Sequence, residues 1–163
     1  NGPDFELHVG ATATEITTLE TYLALALPEQ LKASLMRHNG VDHWIKGELL
    51  SLKHIKEEWR DWGECIDDER FNDNLIGDDN EAIKKCFFNK SWIPFDSDGC
   101  GISNCVDLDP GPKGKVGQII YLYHDLGPKG PIFQDFAEYL ENIADMLEKG
   151  KYKVQDGRID QID

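Results

Sequence analysis

The hydrophobic period changes twice along this chain, and that restricts its fold more than any other feature. Up to about residue 64 apolar residues recur every three or four positions. From Ser91 they alternate, and after residue 133 the helical spacing returns. Helices first, strands next and a helix last specify an α+β domain with a largely antiparallel sheet. At 163 residues the chain has the length of one domain.

The elements follow from local signals. Thr12-Ala13-Thr14-Glu15 reads as a capping box, and Ile16, Leu19 and Leu23 repeat on one helical face behind it. Leu27-Pro28 breaks that helix, and Pro28 suits the first turn of a second. Leu31 and Leu35 form its inner stripe and Asn39-Gly40 its stop, giving two short antiparallel helices. Ser51 caps a third helix, on which Leu52, Ile55, Trp59 and Trp62 share a core face. Trp92-Ile93-Pro94-Phe95 reads as a strand, with Trp92 in the core beside Phe95. Asp98-Gly99-Cys100-Gly101 is a turn, Cys105–Leu108 a second strand and Val116–His124 a long third one. Gly127-Pro128-Lys129-Gly130 repeats the Gly-Pro-Lys-Gly of residues 111–114 and reads as local turn chemistry. Phe133, Phe136, Leu140, Ile143 and Leu147 make one stripe of a last helix ending near Gly150. Asp156-Gly157 between two alternating runs predicts a closing hairpin.

Charge narrows function. With 31 acids against 17 Lys and Arg the net charge is −14, which repels nucleic acid and anionic membranes and attracts cations or a basic protein. No apolar run approaches the roughly 18–20 residues of a membrane span. Cys65, Cys86, Cys100 and Cys105 admit three pairings, among which the sequence selects none. With no Cys-x-x-Cys and no histidine at zinc-finger spacing, reduced thiols in a cytoplasmic protein are the expectation. Asn1-Gly2-Pro3-Asp4 shows no basic region followed by an apolar stretch, so no intact export signal is expected.

Candidate chemistry concentrates after Asp96. Counting Asp96 as the first position of a calcium loop puts Asp98 third, Gly101 sixth, Asn104 ninth and Asp107 twelfth. Cys100 occupies position five, the bidentate Glu is missing and the flanks read as strands, so an Asp-Gly turn with positive φ at Gly99 and Gly101 is preferred. Asp96, Asp98, Asp107 and Asp109 holding a divalent cation would make a metal-dependent hydrolase, the enzymatic alternative. His124-Asp125 carries no weight, because a base and its orienting carboxylate meet by folding. His38 and His43 read as surface or satisfied polar residues. No nucleophile elbow or P-loop is present. No catalytic residue, metal ligand or cofactor is expected.

The order of these motifs resembles the SUKH superfamily in its Smi/Knr branch, which includes fungal glucan-synthesis regulators and many bacterial immunity proteins. The resemblance is carried by Thr14-Glu15-Ile16 through Leu27-Pro28-Glu29, Leu35 to His38-Asn39-Gly40, and Leu49-Leu50-Ser51-Leu52 with Ile55 and Glu58-Trp59. It continues in Trp92–Phe95, Asp98-Gly99, Cys105–Pro110, Gly117–Ile120 and the helix from Phe133 to Leu147. It divides the chain into an extension at 1–11, the domain at 12–152 and a hairpin tail at 153–163. It implies a strongly bent sheet packed against helices and a non-catalytic role, most often neutralising a nuclease or nucleic acid deaminase toxin. A regulatory scaffold like the fungal regulators is the other role that it implies. For occlusion of a basic site, the acids of the segment 64–81 are the expected contacts: Asp67, Asp68, Glu69, Asp73, Asp78, Asp79 and Glu81, with Asp96 and Asp98 next.

Overall fold

The computed structural model describes residues 7–45, 47–65, 81–155 and 158–162. Helix α1 (Ala13–Leu23) opens with the expected capping box: Thr12 Oγ1 accepts from Glu15 N, and Glu15 Oε2 accepts from Thr12 N at 2.8 Å. Helix α2 (Glu29–Arg37) starts one residue after Pro28, which takes the extended cap position instead of a place in the first turn. The chain then turns through Gly40, at φ +90°, where an added Cβ would lie 2.8 Å from Leu49 O, so only glycine fits. Asn39 Oδ1 accepts from Leu52 N at 2.8 Å and ties this turn to the start of α3 (Leu52–Glu64), which Ser51 caps.

Between α2 and α3 lie two strands that the sequence did not announce, β1 (Val41–Trp44) and β2 (Gly47–Leu49). With β3 (Trp92–Ser97), β4 (Ile102–Asp107), β5 (Gln118–Tyr123) and β6 (Gly127–Phe133) they form one antiparallel sheet in sequential order. Strand β6 corrects the turn expected at Gly127–Gly130. Its two prolines withhold amide protons, which only an edge strand tolerates, and β6 is the edge. It bulges opposite β5, where Ile119 pairs with Phe133 and Tyr121 with Lys129. Helix α4 (Phe136–Glu148) follows, capped by Asp135, so Phe133 belongs to β6 and Tyr139 takes its place among the buried residues of the helix. The expected hairpin closes the described chain as β7 (Tyr152–Gln155) and β8 (Arg158–Gln161), with Ile159 buried.

The sheet is covered on both faces. Ile93, Phe95, Val106 and Ile119 pack into one cluster with Leu19, Leu31 and Phe136 from the helices. Trp92, Cys105, Ile120 and Leu122 face the other way, against Trp62, Ile83, Phe87 and Phe88. Trp92 is therefore core, as expected, but on the face opposite Phe95, because three residues along a strand reverse the side. Helix α3 serves both clusters, giving Leu52 and Ile55 to the first and Trp62 to the second. Trp59, expected in the core, is only half-buried; its indole Nε1 donates to Lys90 O at 2.9 Å and its ring meets Tyr22 edge-on.

Candidate functional site

The β3–β4 hairpin distributes its carboxylates to different partners. Asp98 Oδ1 accepts from Cys100 N at 2.7 Å and Ile102 N at 2.9 Å, so this carboxylate closes the turn, with Gly99 at φ +68° and Gly101 at φ +98°. Asp107 is fully buried behind β4. Its Oδ1 accepts from Trp92 Nε1 and Asp109 N, each at 3.0 Å, and its Oδ2 from Gln118 Nε2 at 2.8 Å. Burial pushes its pKa up against those three donors. Asp109 turns outward to Lys84 at 2.5 Å and Asn89 at 3.0 Å, which hold its pKa down. Asp96 points to the opposite face, where Tyr139 Oη donates to its Oδ2 at 2.7 Å. The four carboxylates do not converge, and among the described residues no three Asp, Glu, His or Cys side chains are grouped to hold a metal ion.

Two concavities flank this hairpin. The larger, about 650 Å³, lies between β1–β2, α3, the β3–β4 turn and β8. Seven carboxylates line it, from Asp42, Glu48, Glu57, Glu58, Asp61, Asp98 and Asp160, and no Lys or Arg among the described residues does. Glu58 anchors its floor: Oε1 accepts from Ser103 Oγ at 2.5 Å, Trp62 Nε1 at 3.1 Å and Ser97 Oγ at 3.2 Å. Glu48 pairs with His54, and Asp61 with Arg60 at 2.7 Å outside the groove. Asp42 and Asp61 keep their side chains about 60% exposed, so the groove presents charge to solvent.

The smaller concavity, about 300 Å³, lies on the sheet face beside α4 and β7. Tyr121, Tyr123, Tyr139 and Tyr152 wall it, and Asp96 and Asn104, a cross-strand pair, form its polar floor. Burial drives the Asp96 pKa up to about 6, opposed by hydrogen bonds from Tyr139 and Asn104. Tyr139 Oη also accepts from Trp44 Nε1 at 2.7 Å, and burial carries its own pKa well upward. Asn104 is 8% exposed, and its Oδ1 has no hydrogen-bond partner.

Of the expected contact residues, Asp98 lines both concavities and Asp96 the smaller one. Glu81 lies elsewhere, at φ +56° and ion-paired with Lys113. Asp67, Asp68, Glu69, Asp73, Asp78 and Asp79 lie outside the described residues. Sequence reasoning missed the groove acids of α3, naming only that helix's cap and apolar face. Their spacing held a signal: Glu57, Glu58 and Asp61 recur at three and four, a second stripe beside the apolar one.

Comparison with known proteins supplies the remaining constraint. The profile of the SMI1 / KNR4 family (SUKH-1) matches residues 10–142. A glucan synthesis regulatory protein of Neurospora crassa is 25% identical, over 93% of this chain and 36% of its own length. The cell wall biosynthesis/cell cycle regulator smi1 of Schizosaccharomyces pombe is 28% identical over 93% of the chain and 34% of its own. The cell wall assembly regulator SMI1 of Saccharomyces cerevisiae is 26% identical over 91% and 37%. The chain thus spans about a third of the length of these relatives. No described helix is long and apolar enough to cross a membrane.

Proposed function

The chain belongs to the SMI1 / KNR4 family, and from that premise we propose that it is a non-catalytic regulatory domain that binds a basic protein through the acid-lined groove. The observation that carries this reading is the groove itself: seven carboxylates from five separate segments, with no lysine or arginine among its described lining. Charges collected in a concavity focus their field, raising association rates for an oppositely charged partner by roughly 10–10³. Rim charges set rate and register, and the half-buried Trp44 supplies apolar contact surface in the lining.

Neutralisation of a toxin rests on the same complementarity between an acidic surface and a basic site. The relatives named above are fungal regulators, and they support regulation over immunity. The test is a graft. This chain replaces the matched segment of the Saccharomyces cerevisiae regulator, and growth is scored under cell-wall stress. Restored growth is expected for the native sequence, and lost growth at equal protein level for Asp42→Asn, Glu57→Gln and Asp61→Asn combined. A graft that accumulates yet restores nothing, or a neutralised graft that restores fully, overturns the reading.

A further inference from the structure

The smaller cavity carries an inference that does not depend on the acidic groove. Its floor is rich in acceptors: an asparagine carbonyl and a carboxylate, with the asparagine's own amide turned to that carboxylate. Asn104 is more than nine-tenths buried, yet its Oδ1 meets no donor from the protein. A buried carbonyl left without a donor costs about 1–3 kcal/mol, and such exceptions among native proteins ask for a partner that is not part of the chain. Directly across the strand pair stands Asp96, whose Oδ2 takes the Tyr139 hydroxyl and whose remaining acceptor capacity faces the same space. The walls are aromatic: Tyr121 and Tyr123, on one face of β5, have ring centroids 5.8 Å apart and planes inclined at 51°, and Tyr152 closes the side from β7.

We propose that this cavity is a receptor for a single guanidinium group, seated on Asn104 Oδ1 and Asp96 and flanked by Tyr121, Tyr123 and Tyr152. Two neighbouring acceptors, one of them a carboxylate, favour a ligand rich in N–H groups over an anion, while the Asn142 side chain and the tyrosine hydroxyls add polar groups at the walls. A planar fork with five donors spans two acceptors at once, and its faces stack on tyrosine rings. The volume, about 300 Å³, is at the small end for ligand sites and suits one long side chain more than a sugar or a nucleotide. Asp98 at the rim is committed to its turn, so the oxygen ligands at depth fall short of the six to eight that calcium takes.

The test uses the whole chain, isotope-labelled for NMR and titrated with N-acetyl-L-arginine methylamide. Saturable shifts are expected at the Asn104 side-chain amide and at the Tyr121 and Tyr123 rings. The Asp96→Asn variant should weaken the binding by roughly tenfold, in keeping with loss of a charge-assisted contact. N-acetyl-L-citrulline methylamide, which has the same shape without the charge, should not saturate. Free L-arginine separates the two sources of the group. Tighter binding of the capped form assigns the site to a partner's side chain, and tighter binding of the free amino acid assigns it to a small molecule; both retain the guanidinium receptor. No saturable shift, equal binding of the citrulline probe, or the same shifts produced by calcium alone would overturn it.

Discussion

Two aspartates on opposite faces of one sheet, Asp107 wholly buried and Asp96 half-buried at a cavity, contrast a brace with a proposed receptor. Asp107 is wholly enclosed, and three donors from Trp92, Gln118 and the Asp109 backbone meet its two oxygens. Asp96 takes the Tyr139 hydroxyl and the Asn104 amide, and it shares its cavity with the Asn104 carbonyl, which has no donor. Both carboxyl pKa values are pushed up by burial. Desolvation is therefore common to the two sites and cannot distinguish them. Completeness of the donor set does, because a matched network rigidifies a core whereas an unmatched one costs stability until something fills it.

Substitutions at the two positions should move stability in opposite directions. Asp107→Ala is the largest change: three buried donors lose their acceptor, and unfolding by denaturant should show a loss of about 3–5 kcal/mol. Gains of stability from this variant would break the contrast. Asp96→Asn should instead stabilise the protein at pH 7.5. The folded pKa of Asp96, about 6, lies above its ordinary value of 3.8, so the native state holds its proton longer than the unfolded chain. The contribution of Asp96 is then fully present below pH 4 and is lost as pH rises through 6, on the order of 3 kcal/mol. The advantage of Asp96→Asn should vanish near pH 4, grow as pH rises to 6 and hold steady above it; a constant difference between pH 4 and 6 would contradict the assignment.

Tyr139→Phe removes an acceptor from Trp44 and a donor from Asp96, at a cost of about 1–2 kcal/mol. Because that donor holds the Asp96 pKa down, carboxyl ¹³C titration should show its midpoint moving upward from about 6. The smallest effect belongs to the groove. Asp42→Asn, Glu57→Gln and Asp61→Asn leave exposed positions, and each should change stability by less than about 0.5 kcal/mol in thermal melts. A larger loss would make those acids structural braces like Asp107.

The sequence exposed the fold wherever one period ran long enough. Ile16, Leu19 and Leu23 marked α1, Leu52, Ile55 and Trp62 marked α3, and Trp92 to Leu122 marked the central strands. Strands β1 and β2, four and three residues long, are too short to display an alternation. Strand β6 was hidden by Pro128 and Pro131, whose turn chemistry outweighs edge pairing when no partner strand is in view. At the candidate site, Asp98 was legible because an Asx turn needs only its own neighbours. The groove was not: Asp42, Glu57, Asp98 and Asp160 come from distant segments, while local density drew attention to 64–81. Tyr121 and Tyr123 stand two apart on one face, but the unmatched carbonyl of Asn104 exists only once β3, β4 and α4 are assembled.

The central claim, that the acid-lined groove engages a basic partner, is tested most directly by photo-crosslinking from position 57 in the groove and from position 14 on the exposed side of α1. The expected result is a basic protein captured from position 57 alone, with capture falling steeply as salt is raised and lost when Asp42 and Asp61 are neutralised. Equal capture from both positions, or capture from the groove that ignores salt and charge, would contradict it.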